Sequence, residues 1–324
     1  MPFFFPALLA CTTGTPTDSS AMDTDAESAL PAAAWHEDCP VDAPEQRMID
    51  IGAVSLNVAC QGAGPTVVFL HGFPEFHHSW SAVMAELASE YRLIAPDQRG
   101  YNLSDKPEAV DDYALPLLTA DIIALLPLIS PEPVLLVVHD WGGVVGWTVA
   151  HHPDAWIRGL LAANGPHPQR FSWLISTDPA QQQASAYMDI FRSDQAEKYL
   201  SAEALISDIT PYLSEADQAL YLEALNQPGA ITGGLNWYRA NPLTIESTDN
   251  VMATLNATIS VPVSVMWGLE DEYVLAANAE GLEEYAPDLE VETIEGVGHW
   301  IEHQIPAELA RGVRQLDARA PLKQ

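Results

Sequence analysis

Val137-Val138-His139-Asp140-Trp141-Gly142-Gly143 is the stretch on which the reading of the fold turns. An apolar run over residues 134–138 leads into it, and a helical pattern over 142–151 leaves it. A strand, a tight turn and a helix in immediate succession form an elbow that lifts the turn residue above the end of a buried strand. The paired glycines let the backbone bend sharply and let strand and helix approach closely. In open α/β sheets ligands bind outside the carboxyl ends of the strands, which is where this elbow aims its side chain. That side chain belongs to Asp140. A carboxylate with an ordinary pKa of about 3.9 is ionised at neutral pH and needs no base to attack. It suits displacement at a saturated carbon, which leaves an alkyl ester on the protein. Attack on an acyl carbon would give a strained anhydride, so the elbow argues against an ordinary esterase. The bland alternative is that Asp140 only caps the helix that follows.

Working outward, apolar runs at 48–51, 55–59, 67–70, 93–95, 159–163, 261–267 and 290–294 read as further strands. Those at 67, 134 and 261 are almost wholly apolar, as strands covered on both faces must be. Helical patterns, such as 79–88 and 306–316, separate them, and this alternation implies a mainly parallel sheet. Between about 169 and 243 the rhythm changes. Residues 179–191, 194–200 and 215–226 look helical and no strong strand appears, so the segment reads as a helical insertion over the sheet.

The chain has 324 residues, 48% of them hydrophobic. That suffices for one large α/β domain with an inserted subdomain, and no run approaches the roughly 20 apolar residues that span a bilayer. Thirteen Lys and Arg oppose 45 Asp and Glu, for a net charge of −32. Such a surface repels phosphate backbones and argues against a nucleic-acid partner. Only Lys106, Lys198 and Lys323 are lysines. Scarce lysine with abundant acid fits a saline habitat, and equally an ordinary acidic protein kept soluble by its charge.

An ester on Asp140 has to be hydrolysed, and that step needs a base near neutrality, for which histidine is the usual choice. Ten histidines compete. His77-His78 and His151-His152 are adjacent pairs read as helical or loop surface. Neighbours in sequence do not share a helix face, so neither pair reads as a metal chelate.

Five motifs occur in order: His71-Gly72-Phe73-Pro74, Asp97-Gln98-Arg99-Gly100-Tyr101, His139-Asp140-Trp141-Gly142-Gly143, Asn236-Trp237-Tyr238-Arg239 and Gly298-His299-Trp300. Over roughly residues 47–318 the chain resembles the epoxide hydrolase branch of the α/β-hydrolase superfamily. The resemblance implies a mostly parallel eight-stranded sheet flanked by helices, with core at about 46–168 and 244–320 and a helical cap at 169–243. It implies His299 as the water-activating base and Asp271, the fourth residue of Gly268-Leu269-Glu270-Asp271, as the acid that orients it, with Glu272 the main rival. It places two cap tyrosines, Tyr238 and Tyr187, over Asp140 as proton donors to the epoxide oxygen; Tyr199, Tyr212 and Tyr221 compete for that role. A phenol of pKa about 10 stays protonated at neutral pH and suits the task. The oxyanion donors it implies are the backbone N–H groups of Phe73 and Trp141, with a cis peptide before Pro74 and a structural role for His71. His71, Pro74, Trp173, Phe191 and Trp300 are the expected pocket residues. The implied partners are a small epoxide and water, with no cofactor and no metal.

A dehalogenase would share Asp140, Asp271, His299 and the oxyanion turn. Halide leaves without a proton, however, and haloalkane dehalogenases usually carry Asn where Phe73 stands here. Paired tyrosines therefore favour the epoxide. A non-catalytic binding protein of the same fold often lacks a triad member, whereas all are present in this sequence.

Residues 1–10 are short and apolar and end in Leu8-Leu9-Ala10-Cys11, which is similar to a bacterial lipoprotein signal with Cys11 as the lipid-anchored residue, although the basic n-region is missing. The alternative is a disordered apolar tail. Export is the expectation from this segment, and a cytoplasmic location follows if it is not a signal. Thr, Ser, Asp and Ala then dominate to about residue 34, as in a flexible acidic linker, so residues 1–45 read as signal-like segment plus linker and ordered structure is expected from Gln46. Cys39 and Cys60 pair if the protein is exported and stay free thiols if it is cytosolic.

Overall fold

A computed structural model describes residues 34–322. The signal-like run, Cys11 and most of the acidic linker lie outside the described residues. Eight strands form one sheet: β1 (Glu45–Asp50), β2 (Ser55–Gln61), β3 (Thr66–Leu70), β4 (Arg92–Pro96), β5 (Val134–His139), β6 (Ile157–Ala163), β7 (Val263–Gly268) and β8 (Leu289–Ile294). Their order across the sheet is β1-β2-β4-β3-β5-β6-β7-β8. β2 runs antiparallel to both β1 and β4, and the other pairs are parallel. Each expected strand is present.

The central strands alternate between two cores, because successive side chains of a strand point to opposite faces. On one face Leu135 and Val137 of β5 join Phe69, Leu161 and Met266 under the helices Ser81–Leu87 and Pro306–Arg319. On the other, Leu136 and Val138 join Val68, Leu70 and Ala162 under Leu115–Ile129 and Asp140–His151. Both faces of β5 are thus dry, and its terminal residues can only be directed upward, at the sheet's carboxyl edge.

Between β6 and β7 the chain is helical, from Pro168–Thr177 through Ile245–Met252. The helix expected over 179–191 is two helices, Pro179–Ala184 and Tyr187–Arg192. At the break, the Gln181 amide bonds the Ser185 hydroxyl and the Tyr273 carbonyl. This turn sets Tyr187 at the start of a new helix, at the cavity it shares with Asp140. Part of the insertion makes its own small core, in which Ile206, Ile209 and Tyr221 pack on Phe76 and Trp300 of the α/β body. Among the described residues no helix is long and apolar enough to cross a membrane.

Packing begins before Gln46. Trp35 is buried, with the Arg47 guanidinium 4.3 Å above its ring, and Arg92 donates to the carbonyls of Trp35, Glu37 and Ile129. A disulfide joins Cys39 to Cys60 of β2 across 21 positions of sequence. Closing a loop of that size stabilises the folded state by about 3 kcal/mol through the unfolded chain's lost freedom. Thermal unfolding with and without dithiothreitol should therefore show the reduced protein melting several degrees lower; equal melting temperatures would show that the bridge adds nothing.

Candidate active site

Asp140 takes a backbone φ of +48°, a region that L-residues enter at a cost of about 1–2 kcal/mol. Dense packing holds it there: a Cβ on Gly142 would strike the Leu70 carbonyl and one on Gly143 the backbone of Gly165. The bend turns the carboxylate up into a cavity. Its Oδ1 accepts the Phe73 N–H at 2.8 Å, from a turn whose Phe73–Pro74 peptide is cis. Trp141 follows in the first turn of the helix, where backbone N–H groups have no intrahelical partner.

His299 stands beside it. Its Nε2 is 3.8 Å from Asp140 Oδ2, and its Nδ1 is 2.8 Å from Asp271 Oδ2. Asp271 is buried and tightly bound. Oδ1 accepts the N–H groups of Tyr273 and Val274 at 2.9 and 2.8 Å, and Oδ2 accepts Asn164 Nδ2 at 2.6 Å. Burial pushes the Asp271 carboxyl up, but the His299 charge and these hydrogen bonds outweigh it and hold the group below its ordinary range. Burial likewise pulls the His299 imidazole down, and the Asp271 carboxylate more than reverses this, leaving it above its ordinary value of 6.5. Glu270 and Glu272, the flanking acids, are exposed.

The roof comes from the helical insertion. Tyr187 and Tyr238 line the same cavity as Asp140, with Phe73, Pro74, Phe191, Tyr273, His299 and Trp300, and it encloses about 230 Å³. Burial first, then the Asp140 charge, pushes the Tyr187 phenol well above 10. For Tyr238 burial leads, followed by Tyr187 and Asp140, with the same result. Both hold their protons at neutral pH. Tyr199 and Tyr212, by contrast, are 68% and 45% exposed, and Tyr221 bonds Glu75 away from the cavity.

Two expected pocket residues lie elsewhere. Trp173 is 47% exposed, because the helix Pro168–Thr177 buries Phe171, Ser172 and Leu174 instead; its ring lies under the Arg170 guanidinium. His71 is fully buried beneath the site. Its Nδ1–H donates to the Gly72 carbonyl and its Nε2 accepts the Gln98 N–H, so it fixes the turn and does not line the cavity. The adjacent histidine pairs each split: His77 is buried against Asp97 and His151 against His167, while His78 and His152 are partly exposed.

Sequence reasoning missed Asn164 and Tyr273. Asn164, at φ +42°, bonds Asp271 and also accepts the Gly268 N–H at 2.9 Å, tying the ends of β6 and β7 together. Its one signal is its place in the turn directly after a buried strand. Tyr273 stacks edge-on against Tyr187 and His299 and donates its hydroxyl to Asp208 of the insertion. It also lines a wider cleft of about 820 Å³ that shares Asp208, His299 and Trp300 with the inner cavity.

A family model described as alpha/beta hydrolase fold matches residues 65–303. The AB hydrolase superfamily protein YfhM of Bacillus subtilis is 35% identical over 279 residues, covering 82% of this chain and 96% of that protein. Epoxide hydrolase 4 of Mus musculus is 31% identical over 260 residues, covering 75% and 70%. Among solved structures, a Bacillus megaterium epoxide hydrolase in complex with an inhibitor superposes with a TM-score of 0.77 at 31% identity, over 83% of this chain and 99% of that one.

Proposed function

Since the chain belongs to the α/β hydrolase-fold family, in the branch that holds the epoxide hydrolases, we propose that it opens an epoxide with water to give a vicinal diol. The observation that carries the proposal is a carboxylate at the elbow sharing one cavity with two protonated phenols, Tyr238 buried and Tyr187 partly buried. Tyr187 and Tyr238 hold the epoxide oxygen. Asp140 attacks the less hindered ring carbon from the opposite side, the C–O bond breaks, and a phenol proton passes to the departing oxygen. His299, oriented by Asp271, then takes a proton from water. The resulting hydroxide adds to the Asp140 carbonyl carbon, with the Phe73 and Trp141 N–H groups receiving the charge on its oxygen. Collapse breaks the ester bond, the proton of the added hydroxyl passes to the leaving alkoxide to give the diol and restore the carboxylate, and the proton held on His299 returns to the phenolate.

Phe73 supports an epoxide over a haloalkane. Its ring packs edge-on against Phe191 and Tyr238 at 5.3 and 5.4 Å, so that position offers apolar wall and no side-chain N–H for a halide. The cavity's aromatic lining fits a compact apolar epoxide. The Cys39–Cys60 disulfide supports export to an oxidising compartment as part of the same proposal. The test is a panel of styrene-oxide-type and aliphatic epoxides alongside haloalkanes, with product identification. Diol from at least one epoxide and no halide release is the expected result. Halide release with every epoxide untouched would replace this reading by the dehalogenase.

A further inference from the structure

Beside His299 lies a second group of titratable side chains that the reaction above does not use. His139 ends β5 directly before Asp140. Its ring centroid is 4.7 Å from that of His299, and its Nε2–H donates to the His299 carbonyl at 2.9 Å. Its Nδ1 stands 3.0 Å from Glu302 Oε1 and 3.4 Å from Glu75 Oε2. Glu75, His139 and Glu302 are all at most 1% exposed.

The two carboxylates are not equivalent. Glu75 Oε1 receives His303 Nε2 at 2.7 Å and the Tyr221 hydroxyl at 3.0 Å. Burial pushes Glu75 up, yet the nearby His139 and the bond from His303 hold it well below the usual carboxylate range. Glu302 has no comparable support. Among the described residues neither of its oxygens is in a hydrogen bond, since His139 lies at ion-pair distance without the alignment of one. Buried carboxylates that lack donors resist ionisation. Burial, then the Glu75 charge, pushes Glu302 up to about 7, against the pull of His139. The groups that face it are Glu75 from the turn after β3, His139 from the elbow, His303 from its own helix and Tyr221 from the insertion. His299, with Asp140 and Asp271, lies beyond His139. Glu302 therefore keeps its proton to higher pH than an ordinary carboxyl does, with His139 between it and the reacting imidazole.

We propose that Glu302 is a positioning residue for His299: its carboxylate holds His139, His139 holds the His299 backbone, and its ionisation sets how firmly His299 keeps a proton. The inference rests on His299 acting as the base proposed above. The sign follows from charge alone. An ionised Glu302 favours the His299 imidazolium, so Glu302→Gln should let His299 lose its proton at lower pH.

The experiment is an NMR titration of the His299 ring in the native protein and in Glu302→Gln, paired with the pH dependence of kcat on an epoxide. In the variant the His299 titration should move down by about half a pH unit or more, with the acidic limb of kcat moving the same way. In the native protein the His299 curve should carry a second inflection near pH 7. An unmoved or upward-moved His299 titration overturns the proposal. If the variant does not fold, the native curve decides, and a single inflection overturns it. The ring titration needs no substrate, so a protein inert to every epoxide whose His299 still responds to Glu302 would sink the proposed reaction and spare the coupling.

Discussion

Asp140→Ala is expected to lower epoxide turnover by on the order of 10⁴-fold or more, because the cavity's other carboxylate, Asp208, is engaged by the Tyr273 hydroxyl and does not stand at the elbow. Steady-state diol formation measures this. The variant should nevertheless fold. Alanine at a φ of +48° meets the same backbone strain that aspartate already bears, and the side chain makes one hydrogen bond to protein, from the Phe73 N–H. That donor faces a cavity where water can replace the carboxylate. A melting temperature within a few degrees of the native value, together with lost turnover, would separate chemistry from stability. Turnover within tenfold of native would show that Asp140 is a helix cap and that the ester mechanism is wrong.

The strands and the elbow were legible in the sequence for one physical reason. A strand covered on both faces must be apolar, and Val134–Val138 is such a run, leading through His139 to Asp140 at the elbow. The insertion was less legible, because its helices are placed by what they touch. The helix Ala230–Ala240, which carries Tyr238, includes Thr232, Gly233 and Gly234 and has poor intrinsic propensity. Gly233 is required because its Cα lies against the Gly100 backbone, where a Cβ would collide. Local propensity therefore argued against a helix that tertiary contact demands.

The acid beside His299 shows the same limit. Glu270, Asp271 and Glu272 are chemically alike in sequence, and only burial and the donors Tyr273 N, Val274 N and Asn164 Nδ2 single out Asp271. Asn164 itself could not be read, since its partner lies 107 positions away. Trp173 failed for the opposite reason: an aromatic in a cap suggests a pocket, but its position on the helix turns it to solvent. Glu302 had no motif at all. Its significance comes from meeting Glu75 and His139, groups from three separate parts of the chain, where all three are buried.

His299→Gln should stop the cycle halfway, with a single equivalent of epoxide consumed per protein and turnover thereafter down by roughly 10³-fold or more. Ester formation requires only Asp140 and the phenols, whereas ester hydrolysis requires the imidazole. Intact-protein mass spectrometry should then find an adduct equal to the whole epoxide, since ring opening keeps every atom of the substrate, and proteolysis should map it to the peptide containing Asp140. A haloalkane would instead add its mass less that of the hydrogen halide. The variant keeps Asp271 satisfied, because both carboxylate oxygens retain donors in Tyr273 N, Val274 N and Asn164 Nδ2 when the imidazole is gone. A glutamine can also offer its amide to Asp271, so no buried charge is left unpaired and the protein should remain folded. Asp140→Ala, treated with the same epoxide, should carry no adduct. An adduct that maps elsewhere, or that forms equally in Asp140→Ala, would move the nucleophile away from the elbow. Steady turnover by His299→Gln would mean that water reaches the ester with another base, and Asp271 would then have lost the reason for its place beneath the cavity.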